Sequence, residues 1–265
     1  MSGELEDGAK ILSLRFCGYY DTAVSGEPWI PTRAPEAPFR PPPPPELMDG
    51  DELSLEDTAR ALEDLRRTNR RLLGYLPVVR SLLPHLADGD RLLDLGSGSG
   101  DVADAVVRAG RRKRRSLRVV SVDCKLRHLV LARHRYPDQL RVVASADALP
   151  FVDRSVDCSF SSLFFHHFGC QANRRILEEM RRVSRRAAVV VDLRRSPLLR
   201  WLIRPLLRFV SRTGPVATSD GTASVRESWS LREVRRLVGP APGAQLRRRF
   251  PFRFVLRLPP LDLEK

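Results

Sequence analysis

A glycine-rich run supplies the first residues in this sequence that could take part in chemistry. The run Asp94-Leu95-Gly96-Ser97-Gly98-Ser99-Gly100-Asp101 follows a short apolar stretch. Glycines permit a tight turn and let the backbone approach a ligand closely. A helix that begins there points its amide N–H groups at the same place. The spacing G-x-G-x-G differs from the dinucleotide pattern G-x-G-x-x-G, so the run indicates a ligand-binding turn without naming the ligand.

Two further acidic residues follow the next two apolar stretches. Asp123 comes 23 residues after Gly100, where a carboxylate can accept hydrogen bonds from both hydroxyls of a ribose. Asp147 comes after the third stretch, where it can accept from an adenine amino group while apolar neighbours cover the ring. The alternatives are a strand-end carboxylate that caps backbone amides for Asp94, a surface residue for Asp123 and a turn former for Asp147.

A serine pair and a histidine pair follow the fourth apolar stretch. The serines are Ser161 and Ser162, and the histidines are His166 and His167. An imidazole with a pKa near 6.5 is suited to accept a proton from a substrate. The alternatives are that the serines pack inside a strand and that one histidine caps a helix or packs structurally.

Alternating strand and helix patterns must position these residues. Helical patterns surround 101–110, 125–135 and 171–184, and a last helix near 230–238 precedes two strands that predict a hairpin at the sheet edge. This alternation predicts a parallel sheet with helices on both faces. The four groups of residues would then meet at the carboxyl ends of the strands, where open α/β sheets bind ligands. The predicted strands are 91–95, 117–123, 140–145, 156–162, 187–193, 244–250 and 252–258.

The ordered series of motifs resembles class I S-adenosylmethionine-dependent methyltransferases. The series is DLGSGSGD, VVSVD, SADALPF, VDCSFSSLFFHHF and AAVVVDL. It is most similar to the small-molecule branch that includes the ubiquinone and menaquinone biosynthesis methyltransferases, over about residues 55–258 and most firmly over 91–193. The resemblance implies a Rossmann-like three-layer α/β sandwich with N-terminal helices. Its sheet would have seven mostly parallel strands, the last one antiparallel.

The same resemblance implies S-adenosylmethionine as the cofactor and gives each motif a role. Asp94, Gly96, Gly98 and Gly100 would shape the methionine end of the site, Asp123 would hold the ribose, Asp147 and Ala148 the adenine, and Ser161 and Ser162 would lie beside the sulfonium. Ser97 and Cys124 complete the predicted cofactor-binding set. His166 and His167 are the predicted catalytic residues, and no metal ligand is predicted.

The predicted reaction is methyl transfer to oxygen or carbon of a small, largely apolar acceptor such as a quinone, polyketide or aromatic molecule. The cofactor is already activated, so the protein mainly positions the reactants. Apolar residues in 196–212 alternate with arginines that share one helical face, which suits a lid over the acceptor and peripheral contact with an anionic membrane. The alternative is an ordinary packed helix. The arginines are Arg200, Arg204, Arg208 and Arg212.

Composition divides the chain into two parts. It has 265 residues and a net charge of +14, but residues 1–57 carry 12 acidic and 4 basic groups. We expect an acidic, proline-rich extension over 1–50 and a methyltransferase domain over 51–265, with cap helices at 51–88 and a lid-like insertion at 196–228. No secretory signal, membrane span or C-x-x-C pair is evident, so a cytoplasmic location is the expectation.

Two other functions remain open at this point. The basic body and the cluster Arg111-Arg112-Lys113-Arg114-Arg115 allow an RNA methyltransferase, but this cluster precedes the second strand of the predicted sheet, at the end opposite the pocket. Nucleic acid is therefore not the expected partner. A methyltransferase-like binding protein without activity is the other alternative, against which the intact motif series argues.

Overall fold

One mixed sheet organises the molecule. A computed structural model describes residues 11–13 and 40–261, and in that part of the chain eight strands lie in the order β1-β4-β3-β2-β5-β6-β8-β7. The strands are β1 (Ile11–Ser13), β2 (Arg91–Leu95), β3 (Arg118–Asp123), β4 (Leu140–Val143), β5 (Val156–Ser162), β6 (Ser184–Leu193), β7 (Gln245–Arg249) and β8 (Arg253–Leu258). β1 to β6 run parallel, and β8 is antiparallel to both β6 and β7. The predicted Rossmann-like fold class, with its antiparallel last strand, is confirmed.

Helices flank this sheet and precede it. They are α1 (Leu55–Arg71), α2 (Tyr75–Leu82), α3 (Asp101–Arg111), α4 (Leu126–Arg135), α5 (Cys170–Val183), α6 (Pro197–Pro205), α7 (Pro215–Arg226) and α8 (Leu231–Val238). Short 3-10 turns lie at Leu47–Asp49, Leu83–His85 and Phe165–His167, and a π-helical turn lies at Leu206–Ser211. The Ser54 hydroxyl accepts a hydrogen bond from the Asp57 amide and so caps the start of α1.

All seven predicted strands are present, and β1 is an additional one. This three-residue strand pairs in parallel with β4 at the sheet edge, with Leu12 opposite Val142. A strand of three residues is too short to show an alternating pattern, so it could not be predicted from periodicity. The rest of the predicted extension up to residue 39 lies outside the described residues.

The sheet is buried on both faces. Leu93 and Leu95 of β2 pack in a core layer with α5 and α8, whereas Leu92 packs in the opposite layer with α2 and α3. β6 alternates in the same way, with Val190 in the first layer and Val189 in the second. Strands that are buried on both faces have continuous apolar sequences, which is why the five parallel runs stood out.

The strand order places the functional residues at one edge of the sheet. The chain runs from β2 outward through β3 and β4 and then returns to β5 on the other side of β2. Such a reversal opens a crevice at the carboxyl ends of the two central strands. Leu95 at the end of β2 lies opposite Val122 of β3 and Ser161 of β5, so the residues that follow these three strands meet in this crevice.

The segment after β6 forms a cover of two helices. Leu199, Ile203 and Leu207 are buried against Val225 of α7. The α-helix ends at Pro205, after which the backbone continues in the wider π-helical turn. In the described part of the chain, no helix is long and apolar enough to cross a bilayer.

The central strand β5 provides a test of this packing. Phe160 is completely buried between β2 and β6, so replacing it with alanine leaves a large cavity. We expect Phe160→Ala to lower the free energy of unfolding by about 3–5 kcal/mol, measured by urea denaturation. Val152→Ala, at a position that is 76% exposed, should change it by less than about 0.5 kcal/mol. Equal effects from the two substitutions would contradict the packing of the core described above.

Candidate active site

The glycine-rich turn connects β2 to α3 in a conformation that only glycine adopts easily. Gly96, Gly98 and Gly100 have φ values of +66°, +48° and +73°. A side chain at Gly96 would also lie 2.2 Å from the ring of Phe164, so this position excludes any larger residue. The turn therefore brings its backbone directly against the crevice.

Asp123 fixes this turn from the neighbouring strand. Its carboxylate accepts hydrogen bonds from the amides of Gly98 and Lys125, each at 2.9 Å, and lies 3.4 Å from Nδ1 of His128. Burial acts to raise the pKa of Asp123, but these hydrogen bonds and the His128 charge outweigh it and hold the pKa below its ordinary value. Asp123 is therefore an ionised carboxylate at the base of the site.

Three buried polar atoms near the turn have no hydrogen-bond partner among the described residues. They are Oδ2 of Asp94, Oγ of Ser97 and Oγ of Ser161. Burial raises the pKa of Asp94 well above its ordinary value, and the negative charges of Asp101 and Asp123 add to this effect. Unpaired polar atoms in a buried site are costly, so those of Asp94 and Ser97, which line the larger cavity, are the natural contacts for a ligand.

Two cavities meet at Gly96. The smaller, of about 260 Å³, is lined by Asp123, Cys124, Asp147, Phe164 and Phe168 among others. The larger, of about 490 Å³, extends from the glycine turn to apolar side chains of α1 and α6. Both cavities include Gly96 and His167 in their walls, so the two lie next to each other at the glycine turn.

The structure brings most of the predicted site residues into these two walls. The larger cavity is lined by Asp94, Gly96, Ser97, Gly98, Ser162, His166 and His167, and the smaller by Gly96, Asp123, Cys124, Asp147 and His167. Gly100, Ala148 and Ser161 line neither. Gly100 begins α3, Ala148 is exposed, and Ser161 is buried inside β5.

His166 is oriented by a buried carboxylate that was not predicted from the sequence. Its Nδ1 lies 2.8 Å from Oδ1 of Asp192, near the end of β6. Asp192 also accepts hydrogen bonds from the amides of Phe164 and His166. Burial opposes ionisation of Asp192, but the electrostatic attraction and hydrogen bond of His166, together with the hydrogen bond from the Leu193 amide, keep its pKa below the ordinary value. Because Nδ1 is engaged, the Nε2 atom of His166 is the one left to face the larger cavity.

His167 has a different partner. Its Nδ1 lies 3.0 Å from Oδ2 of Asp49. Burial alone would lower the pKa of His167, but the hydrogen bond to Asp49 and the nearby charges of Glu46 and Asp192 raise it to about 9. His167 is therefore a cation at neutral pH.

Residues 40–50, which we call the strap, cross this site and supply part of its wall. Glu46 lines the larger cavity, with Oε1 3.8 Å from Nε2 of His166 and Oε2 4.0 Å from Nε2 of His167. The Glu46 carboxylate also accepts a hydrogen bond of 2.7 Å from Oγ of Ser224. Two imidazoles and a carboxylate thus converge on one point of the cavity wall.

The strap is fastened at both ends. The Arg40 guanidinium stacks 4.2 Å from the centre of the Trp229 ring and donates to the carbonyl of Ser228. The amides of Leu47 and Met48 donate to the Asp220 carboxylate at 2.9 and 3.1 Å. These contacts join the strap to α7 and to the segment before α8.

Four residues of the site were not predicted from the sequence. Asp192 had a usable signal, because it is an acidic residue at the end of a buried strand, like Asp94 and Asp123. Glu46, Asp49 and Asp220 had none, because they belong to the strap and to a helix outside the sheet. Their approach to the histidines depends on contacts across more than 100 residues of chain, such as the contact between Asp49 and His167.

Comparison with known proteins relates this geometry to one domain family. Residues 93–191 match the sequence model of a methyltransferase domain. The demethylmenaquinone methyltransferase of Thermotoga maritima is 36% identical over 108 residues, which are 41% of this chain and 44% of that protein. The chain thus spans less than half the length of this curated relative.

Solved structures agree on the fold. A SAM-dependent methyltransferase from Aquifex aeolicus superposes with a TM-score of 0.55 at 17% identity, covering 79% of this chain and all of that one. Human N-acetylserotonin methyltransferase in complex with SAM gives a TM-score of 0.54 at 13% identity, covering 78% of this chain and 56% of that one. At such low sequence identities, these structural similarities show the fold alone.

The pair of Asp49 and His167 makes stability depend on pH. The pKa of His167 is about 9 in the folded protein and about 6.5 in an unfolded chain, so the stabilisation is complete below about pH 6.5 and is lost as the pH rises through 9. We expect Asp49→Asn to be less stable than wild type by about 1.5–3 kcal/mol at pH 6. The difference should shrink above pH 9, as measured by urea denaturation across this range.

The matched control for this prediction is Glu52→Gln. Glu52 follows the strap and is exposed, so its substitution should leave the pH profile of wild type unchanged. A stability difference between Asp49→Asn and wild type that stays constant from pH 6 to pH 10 would contradict the assignment of charge to His167.

Proposed function

We propose that this chain, whose residues 93–191 match a methyltransferase domain, is a class I S-adenosylmethionine-dependent methyltransferase that transfers a methyl group to oxygen or carbon of a small, largely apolar acceptor. The observation that carries the proposal is the pair of His166 and Asp192 at the wall of a cavity with apolar sides. The name of the Thermotoga maritima relative, a demethylmenaquinone methyltransferase, supports a quinone-like acceptor.

S-adenosylmethionine is the cofactor of this domain, and the residues present suit it. The unpaired oxygen of Asp94 and the hydroxyl of Ser97 would hold the methionine end beside the glycine turn. An ammonium group there would favour the ionised form of Asp94 and would oppose the effects of burial and of the nearby negative charges on its pKa. Asp123 and Asp147 would hold the ribose and the adenine in the smaller cavity, with Cys124 and Phe168 beside them.

When bound, S-adenosylmethionine would supply an activated methyl group for the acceptor. The protein must position the acceptor and remove its proton. Nε2 of His166 is the proposed base, since Asp192 accepts at Nδ1 and leaves the Nε2 lone pair free to take a proton. His167 is the second proposed catalytic residue, because its positive charge would stabilise the developing oxyanion.

The wall of the larger cavity favours an apolar acceptor. Side chains from α1, α6 and the π-helical turn surround the space beyond the histidines. They include Leu65, Leu72, Leu199, Leu202, Ile203 and Leu206. Such a lining binds apolar molecules by burying their surface and orients them through the few polar groups present.

No observation favours nucleic acid as the acceptor. The cluster Arg111–Arg115 lies between α3 and β3, at the amino end of the parallel strands. The histidines and the glycine turn lie at the carboxyl end. A strand of RNA bound by this cluster would be at the opposite side of the sheet from the proposed chemistry.

Asp123→Ala tests the proposed cofactor site. We expect this substitution to abolish binding of S-adenosylmethionine, because it removes the proposed ribose acceptor and frees the Gly98 amide. Binding is measured by calorimetry. Turnover is measured with labelled cofactor and a metabolite extract of the host, followed by mass spectrometry of the methylated product.

The matched control is Asp138→Ala, an exposed carboxylate at which both binding and turnover should equal those of wild type. Unchanged affinity in Asp123→Ala would rule out the proposed site. Turnover that requires a divalent cation, and that a chelator stops, would show that His166 and His167 are ligands of an ion rather than the proposed catalytic groups.

We also propose that the cover after β6 contacts an anionic membrane. Its outer side carries large apolar side chains, of which Trp201 is 76% and Phe209 is 73% exposed. Arg200, Arg204 and Arg208 are exposed beside them. Aromatic and basic residues together suit the boundary between lipid headgroups and acyl chains. Phe250, 78% exposed, also lines the larger cavity, so the apolar side chains reach the cavity rim.

Vesicle binding tests this contact. We expect the protein to sediment with vesicles of phosphatidylcholine and phosphatidylglycerol but not with phosphatidylcholine alone, and to dissociate as salt rises. Trp201→Ser should weaken binding several-fold, because it removes an exposed aromatic ring. Val152→Ser, at a position that is also 76% exposed, should have no effect. Equal binding to both kinds of vesicle would contradict the role of the arginines.

A further inference from the structure

Arg253 is a buried charge in the wall of the larger cavity that the proposed reaction does not use. It is the first residue of β8, and its side chain is almost fully buried. Its Nε and Nη1 atoms have no hydrogen-bond acceptor among the described residues. A guanidinium has five N–H donors and is rarely buried without acceptors for them.

Three of the carboxylates around this cavity already have other partners. Asp192 attracts Arg253, but its oxygens accept from His166 and from backbone amides of β6 and the 3-10 turn. Glu46 accepts from Ser224 and faces the histidines, while Asp220 accepts from the strap amides. Asp94 lies beside the glycine turn. None of these carboxylates has a hydrogen bond to Arg253.

The unpaired guanidinium has an energetic consequence. Burial lowers the pKa of Arg253 to about 10 and outweighs the attraction of Asp192, although the group is still a cation at neutral pH. The folded protein therefore keeps a charge whose loss of hydration is only partly compensated. A ligand that supplies an anionic oxygen to this group gains a strong, charge-assisted hydrogen bond in a cavity with a largely apolar wall.

We propose that Arg253 binds a carboxylate of the acceptor. The planar guanidinium can offer two parallel N–H groups to the two carboxylate oxygens, while the apolar wall takes the rest of the molecule. The acceptor class is then an apolar molecule that carries one carboxylate. This inference rests on the proposed function in taking the cavity ligand to be the acceptor, and it adds the group by which the acceptor is held.

Two probes of the same shape test the inference in the full chain. 4-Hexylbenzoate and 4-hexylbenzamide differ in charge but hardly in size, and their affinities are measured by calorimetry with S-adenosylhomocysteine present. We expect wild type to bind the benzoate at least tenfold more tightly than the benzamide. In Arg253→Met this preference should fall below twofold. The midpoint of urea unfolding should also rise, because methionine fills similar space without a buried charge.

Two further variants distinguish a binding role of Arg253 from a structural one. Arg249→Met removes an exposed arginine opposite Arg253 on β7 and should change neither the preference nor the unfolding midpoint. Arg253→Gln provides a second, neutral variant in case Arg253→Met does not fold. A rise in stability together with loss of the preference identifies a binding residue, since a structural arginine would lose stability when replaced.

Two outcomes would overturn the inference. One is a wild type that does not prefer the benzoate, and the other is a folded Arg253→Met or Arg253→Gln that retains the preference. Binding of S-adenosylhomocysteine is measured in every variant. If wild type does not bind it, the proposed function fails, whereas the comparison of the two probes without it still decides the role of Arg253.

Discussion

The burial of carboxylates at the carboxyl ends of parallel strands is the constraint on which this structure depends. Asp94, Asp123 and Asp192 end or nearly end β2, β3 and β6, and all three are removed from water. Each buried carboxylate needs hydrogen bonds or positive charges within a few ångströms to offset its loss of hydration. The glycine turn and His128 supply them to Asp123, and His166 and nearby amides supply them to Asp192. One oxygen of Asp94 has no such partner among the described residues. The two compensated carboxylates shape the site, and the third leaves a place for a ligand.

The sequence predicted the sheet and the positions of most residues around the crevice, because both depend on local pattern. Strands buried on both faces have continuous apolar sequences. The residues that directly follow them lie at the crevice, whatever the conformation of the loops. Asp94, Asp123 and Asp147 could therefore be placed from the order of the strands alone. Ala148 shows the limit of this reasoning, since it adjoins Asp147 but its side chain is exposed and lines neither cavity.

The larger cavity beyond the histidines could not be predicted in the same way. Glu46 and Asp49 lie in a proline-rich strap whose local sequence favours extended backbone and says nothing of what it covers. They reach the histidines only because Asp220, Ser224 and Trp229, about 180 residues later, hold the strap in place. Arg253 is likewise inconspicuous among 42 arginines. Only the tertiary structure separates this buried guanidinium from the many that face solvent.

The strap lies outside the central domain in the sequence, and this affects how such a protein can change during evolution. Residues 93–191 contain the glycine turn, Asp123, Asp147 and the histidines, whereas the strap, the leucines of α1 and α6, and Arg253 all lie outside that stretch. Under the proposed function, substitutions in these outer segments would reshape the acceptor cavity while Asp94, Asp123 and Asp147 stay the same. Acceptor preference would then evolve independently of cofactor use, so that two such proteins with nearly the same central domain could modify unrelated molecules.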